Sequence, residues 1–321
     1  MGASTEAPDQ NCDSLRLSSP YTSNIFLIVC FSNPIAILAY CFECLPPLIA
    51  SLGSQDRVRF IHFYNSLQQV RCLSEETKEN RELAKWAYNI VYTRCFGNHN
   101  SPGMSDPVKR IVPMADMFNH ATETEVEISF DDDGNCYAYT TKDVPAGSPL
   151  QISYGCPTNP SHLFATYGFL DESSPATFCK MMNFESTKEL RDIGMDFSRM
   201  LFYKDTGDIT EEVWDVVLYT LLEDLQDDDR RTQKAFYQAC MNGDVETKNA
   251  IHQQFFPMSS RVIQIHVNSF IAELDQLSAK AASKDINEHP RIPLILEHNA
   301  FVKQTFMNVK SNIDSMVAQV A

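Results

Sequence analysis

Residues 110–120 read RIVPMADMFNH, and residues 142–170 read KDVPAGSPLQISYGCPTNPSHLFATYGFL, with an acidic segment between them. Together they set an apolar strand-like run, an Asn-His pair and two tyrosines in a fixed order. Asn119-His120 carries little information as a dipeptide, because Asn98-His99 repeats it in a Gly-rich loop. Its context distinguishes it. Asp116 and an apolar run lead in, Ile152-Ser153-Tyr154-Gly155 follows, and Asn159 precedes Tyr167-Gly168-Phe169, with the two tyrosines 13 positions apart.

This ordered set resembles the catalytic half of SET-domain protein-lysine methyltransferases, of the subgroup similar to the Rubisco large-subunit methyltransferase. The resemblance implies an α+β fold, in which a β-rich SET domain with a helical insert is followed by an all-α C-terminal domain that binds the substrate protein. It also implies S-adenosyl-L-methionine as cofactor and the side chain of a lysine in a protein substrate as acceptor. Asn119 and His120 match the Asn-His motif that contacts the cofactor. Tyr154 matches the catalytic tyrosine that orients the amine, and Tyr167 matches the second tyrosine lining the lysine channel. Upstream, Trp86-Ala87-Tyr88 and Thr93-Arg94-Cys95-Phe96 look like the helix whose arginine reaches the cofactor carboxylate, which makes Arg94 the candidate. A planar guanidinium pairs two-pronged with a carboxylate. Phe96 stands where lysine-directed members carry an aromatic channel residue and a histidine-directed relative carries an amide.

The chemistry asks for those residue types. A lysine amine with a pKa near 10.4 is only about 0.04% neutral at pH 7, a deficit of roughly 4.6 kcal/mol. An apolar, tyrosine-lined channel favours the neutral form by desolvation, and a cationic cofactor pushes the same way. Aromatic walls also hold the cation before it loses its proton. One part of the family's pattern is missing: no Gly-x-Gly strand pair precedes Trp86, and Gly2 is the only glycine in the first 34 residues. Two expectations follow, a clipped gene product or a chain with half of its cofactor site lost. The alternative function is thus a catalytically impaired SET-like scaffold acting as a protein-interaction module.

Composition narrows the partners. The net charge of -16 repels phosphate backbones, which argues against nucleic acid and suits a lysine-rich protein segment. Ten cysteines without a regular framework point to a reducing, intracellular setting, with the cytoplasm expected and nucleus or plastid left open. Cys41-x-x-Cys44 has no second pair nearby, so no metal site is expected. Asp131-Asp132-Asp133-Gly134-Asn135 lacks the following ligands of a calcium loop and reads as a hairpin turn. A monomer is expected.

Along the chain, residues 1–34 are unassigned and read as disordered. Residues 35–79 form a helical insert, 80–182 the SET core and 183–321 the helical substrate-binding domain. Residues 25–52 are apolar enough to raise a membrane span, but Pro34, Glu43 and Pro46-Pro47 favour a pair of short core helices. In residues 76–96 the spacing of Leu83, Trp86, Ala87, Ile90 and Val91 predicts a helix buried on that face. Ile111–Met117, Glu125–Phe130, Cys136–Thr141 and Leu150–Tyr154 read as strands. Thr210 is expected to cap one long helix, Ser259 or Ser260 to open another, and a last helix to run over 292–317.

Overall fold

The computed structural model describes residues 39–98, 108–155, 160–181, 186–196, 198–224 and 227–320. The expected disorder of residues 1–34, and the first part of the apolar run at 25–52, lie outside them. At the start of the described residues, Ala39–Cys44 is a 3-10 turn, and Pro46-Pro47 then starts helix α1, Pro47–Leu67. A proline in the first turn sacrifices only a backbone N–H that has no helical partner there. Among the described residues no helix is long and apolar enough to cross a membrane. The short helix α2, Glu75–Glu79, and helix α3, Arg81–Arg94, are capped by the side chains of Ser74 and Asn80, which accept from the N–H groups of Thr77 and Leu83.

Helix α3 buries a different face from the one its aliphatic residues predict. Leu83 and Val91 are exposed, while Ala84 and Asn89 are buried. Tyrosines decide the orientation: the Tyr88 ring packs on Phe60 and Phe63 of α1 at 5.6 and 5.3 Å, and Tyr92 stacks on Tyr88. Aromatic rings bury more area than Leu or Val, so a face built on positions 84, 88 and 92 wins.

The β structure consists of two-stranded ladders. Strands β1 (Cys95–Asn98) and β2 (Val108–Ile111) are antiparallel, as are β4 (Val126–Phe130) and β5 (Cys136–Thr140). Strands β3 (Asn119–His120) and β6 (Gln151–Ile152) run parallel, pairing Asn119 with Gln151 and His120 with Ile152. The β4–β5 hairpin closes where the sequence predicts. Asp131 accepts from the backbone and side chain of Asn135, and Gly134 sits at φ +80, where the Arg110 guanidinium crowds the place of any Cβ. The expected strand at Ile111–Met117 does not form. Pro113 lacks a backbone donor, Met114 adopts φ +75, and Ala115–Met117 coils into a 3-10 turn that delivers the chain into β3.

Helix α4 (Pro160–Tyr167) leads to the antiparallel pair β7 (Ala176–Phe178) and β8 (Leu201–Tyr203), which flank the short helix α5 (Lys188–Asp192). Helices α6 (Glu211–Asp224), α7 (Asp227–Asn242), α8 (Val245–Ala282) and α9 (Ile292–Val320) complete the chain, giving the α+β class expected. Thr210 uses its hydroxyl on the neighbouring strand instead of on α6, accepting from the Leu201 N–H and donating to the Arg199 carbonyl. Nor does a helix begin at Ser259 or Ser260. Helix α8 starts at Val245, capped by Asp244, and continues through Pro257. Ser259 and Ser260 are buried, and apolar packing on both sides of the proline outweighs the lost hydrogen bond.

The main core joins α6–α9 through Val216, Leu218, Phe236, Ile263, Val267, Phe306 and Val309, with Phe178 and Phe202 of the β7–β8 pair inserted at its edge. Phe202 meets Phe306 edge-on at 5.1 Å, and each such fully buried ring contributes about 1.5–3 kcal/mol. A second core holds the start of α1 and α4 against α8 and α9 through Ile49, Phe164, Ala281 and Ile295.

His298 lies inside this second core, against Phe164 at 4.5 Å, and its Nε2 has no partner among the described residues. Burial, helped by the charge of Lys180, pulls its pKa down to about 3. In the unfolded chain the imidazole gains a proton near pH 6.5, so the unfolded state binds more protons between pH 6.5 and 3. Stability should therefore fall as pH drops through that window. Urea midpoints at pH 7 and pH 5 should differ more for the natural chain than for His298→Phe; equal pH slopes would refute this.

Candidate active site

The β3–β6 pair puts Asn119-His120 beside the residues that run into Tyr154. Gln151 donates from Nε2 to the His120 carbonyl at 3.2 Å, and the Ala121 N–H donates to the Ile152 carbonyl at 3.1 Å, so the two segments are locked in register. The His120 ring is engaged at both nitrogens. Its Nδ1 accepts from the Tyr154 N–H at 3.1 Å, which fixes the ring proton on Nε2, and Nε2 faces Asp171 Oδ2 at 3.1 Å. Thr122, Ser173 and Ser174 also donate hydroxyl hydrogen bonds to the Asp171 carboxylate. Burial pushes the Asp171 carboxyl up, but the hydrogen bonds from Ser173, Thr122 and His120 outweigh it and hold the group below the usual carboxylate range.

Four rings form one aromatic wall. Tyr154 and Tyr167 lie 4.8 Å apart, His120 is 5.4 Å from Tyr154, and Phe169 touches all three. The Tyr154 hydroxyl donates to the Phe118 carbonyl at 2.6 Å. Burial pushes the Tyr154 phenol up, with Arg94 pulling down and Asp116 pushing up in smaller measure. Burial, and then Tyr154, push Tyr167 up to about 12. Both phenols are therefore protonated at neutral pH.

Arg94 ends helix α3 and turns toward the same corner. Its Nη1 donates to the Asp116 carbonyl at 2.6 Å and lies 3.5 Å from the Asp116 carboxylate, while Nε is buried without a partner among the described residues. Asn119 is exposed, and its side chain makes no hydrogen bond among the described residues. The structure thus gathers His120, Tyr154 and Tyr167, with Asn119 on the same strand as His120. Phe96 stands apart in β1, paired with Arg110, and makes no ring contact with the wall among the described residues. Phe169 and Asp171 were missed in the sequence, although both follow Tyr167-Gly168 directly. A phenylalanine and an aspartate opening a Glu-Ser-Ser turn look ordinary until the fold brings His120 to them.

No family model and no curated protein matches this sequence. Among solved structures the fold is similar to the crystal structure of the SET domain of LSMT bound to lysine and AdoHcy, with a TM-score of 0.54 and 13% identity. The match covers 91% of this chain and 74% of that one. The chain accordingly shares the fold of that SET domain at low sequence identity.

Two outcomes test the geometry. Asp171→Ala strands the Nε2–H of His120 and the Thr122 hydroxyl, and should cost about 1–3 kcal/mol in a urea titration; Asp171→Asn, which keeps an acceptor oxygen, should cost less. Tyr167 ionises near pH 10 in the unfolded chain and at about 12 in the folded one, so its stabilising contribution is complete below pH 10 and is lost as pH rises from 10 to 12. Guanidinium midpoints at pH 9 and pH 11 should therefore fall more steeply for the natural chain than for Tyr167→Phe.

Proposed function

We propose that this chain transfers a methyl group from S-adenosylmethionine to the ε-amine of a lysine in a protein substrate. One observation carries the reading: an Asn-His corner and two protonated tyrosines, from segments 34 and 47 residues after His120, meet in one aromatic wall. The LSMT domain of the same fold was crystallised with lysine and AdoHcy, which supports the same pair of ligands here.

The residues present fit the cofactor. The Nε of Arg94, buried and unpartnered among the described residues, is costly when left unpaired, and the exposed Asn119 amide on the same corner is free to bond a ligand. Arg94 and Asn119 would hold the cofactor, with His120 shaping the corner. When bound, the cofactor supplies an electrophilic methyl on a positively charged sulfur. The rings of Tyr154, Tyr167 and Phe169 exclude water from the acceptor amine and so favour its neutral, nucleophilic form. Because the Tyr154 hydroxyl is spent on the Phe118 carbonyl, its oxygen keeps lone pairs that accept an N–H and orient the nitrogen. Orientation of this kind is the larger part of what such a site contributes to rate. Residues 80–182 would form the catalytic unit and residues 183–321 the surface that presents the substrate. A chain of net charge -16 suits a lysine-rich partner.

The test is transfer of radioactive methyl groups to a lysine-rich protein mixture, alongside calorimetric titration with S-adenosylmethionine. The natural chain should show both binding and transfer. Tyr154→Phe should lower turnover about 10–100-fold, the equivalent of one lost orienting hydrogen bond, with cofactor binding retained. Arg94→Lys should weaken cofactor binding about tenfold or more, since an ammonium cannot make the paired contact. Absence of both binding and transfer in the natural chain would overturn the proposal in favour of a non-catalytic scaffold.

A further inference from the structure

Lys180 follows β7, outside the aromatic wall, and is buried. Its backbone takes φ +61, a left-handed conformation that residues with a Cβ rarely adopt. The side chain ends on one neutral partner, Nζ donating to Ser161 Oγ at 2.5 Å. No carboxylate forms an ion pair with it among the described residues, and no acidic side chain offsets its burial. A buried ammonium without a counter-charge is strongly disfavoured, so burial pulls the Lys180 pKa down to about 7, with only the Cys179 thiol pushing the other way. A large share of this amine is therefore an uncharged nucleophile at neutral pH.

The residue also borders a cavity. Lys180 lines a cavity of about 150 Å³ together with Pro47, Leu48, His266, Ser269, Phe270 and Glu273. At about 30 Å³ per water, that is room for roughly five heavy atoms. Three apolar walls suit a carbon chain. Glu273, on a chain of net charge -16, disfavours an anion. His266 is committed to the structure: its Nε2 donates to the Cys179 carbonyl at 2.7 Å, and burial holds its pKa below the ordinary value.

We propose that Lys180 is a covalent capture site for a small uncharged aldehyde, which enters the cavity beside α8 and condenses with the ε-amine to form an imine. The nitrogen lone pair forms the N–C bond while the carbonyl π pair moves to oxygen, and a proton passes from nitrogen to that oxygen. The C–O bond then breaks as the remaining N–H electrons form C=N. Carbonyl oxygen and both amine hydrogens leave as water, and no oxidant or reductant is consumed. Glu273 lines the same cavity, and in this proposal its carboxylate would relay the proton. This chemistry is independent of methyl transfer.

The full chain, incubated at pH 7 with acetaldehyde and cyanoborohydride, would be digested and each lysine scored for ethylation by mass spectrometry. Lys180 should be labelled at least about tenfold faster than the exposed Lys109, because an ordinary lysine is about 0.04% neutral at that pH. The advantage should vanish in guanidinium. Naphthaldehyde, too large for the cavity, should not label Lys180 in the folded chain. Ser269→Trp, which fills the cavity from exposed helix surface, should slow Lys180 while leaving the circular dichroism melt unchanged. Labelling no faster than Lys109, equal labelling by naphthaldehyde, or no effect of Ser269→Trp would each overturn the proposal.

Discussion

Everything near the aromatic wall depends on one imidazole pinned at both nitrogens. His120 accepts the Tyr154 N–H on one side and meets the Asp171 carboxylate on the other, so it ties together chain segments 34 and 51 residues away. Rotating that ring would release the Tyr154 N–H and take the His120 Nε2–H away from Asp171. The carboxylate resists because Thr122 and Ser173 hold it from the other side. A two-residue parallel pair such as β3–β6 has too few hydrogen bonds to be stable by itself. The imidazole and the Gln151 side chain supply the cross-links that the short ladder lacks.

The helical part steadies this corner through α4 and the β7–β8 pair. Asn299 of α9 donates to the Cys44 carbonyl at 3.3 Å, Phe164 of α4 packs on His298, and Lys280 of α8 pairs with Glu43 at 2.8 Å. Tyr167 is the last residue of α4, so the position of one wall ring is inherited from a helix anchored in the second core. On the other side, Asn308 and Asn312 of α9 donate to the carbonyls of Lys204 and Thr206 at 2.6 and 2.8 Å. At Gly207 the α9 backbone comes so close that a Cβ would stand 2.6 Å from the Asn308 oxygen. The Asn299, His298 and Lys280 contacts tie α8 and α9 to α4 and to the turn before α1, while those of Asn308 and Asn312 tie α9 to the loop after β8.

Local rules were legible in the sequence where a residue's own chemistry decides the outcome. The Asp131–Asn135 turn formed as read because Asp131 and Asn135 bond each other without outside help. The final helix, its start set by prolines, also formed. What escaped was set by partners distant in sequence. The buried face of α3 depends on which rings α1 offers, and the uninterrupted α8 depends on cores on both sides of Pro257. At the site, the two tyrosines and the Asn-His pair stand out by residue type and order. Asp171 is invisible in that reading, because an aspartate before Glu-Ser-Ser makes a turn whether or not a histidine arrives. Lys180 is hidden for the converse reason: nothing in Phe-Cys-Lys-Met says that the ammonium will be denied water.

If an acceptor amine binds against this wall, as proposed, the groups around it are not placed to take its proton. Tyr154 and Tyr167 are held protonated by burial and cannot serve as bases near neutral pH. His120 has its only lone pair committed to the Tyr154 N–H, and Asp171 is saturated by His120, Thr122, Ser173 and Ser174. Asp116 is drawn to Arg94. None of these groups is both free and basic, so the wall acts on the amine before reaction and not on its proton during it. In the proposed reaction, the deficit of roughly 4.6 kcal/mol for a neutral lysine at pH 7 would be met by desolvation against the rings, with the cationic cofactor pushing the same way. Lys180 shows the direction of that effect in this fold, since burial without a carboxylate pulls its pKa down to about 7. The same displacement applied to a substrate lysine would offset most of the deficit without a catalytic base.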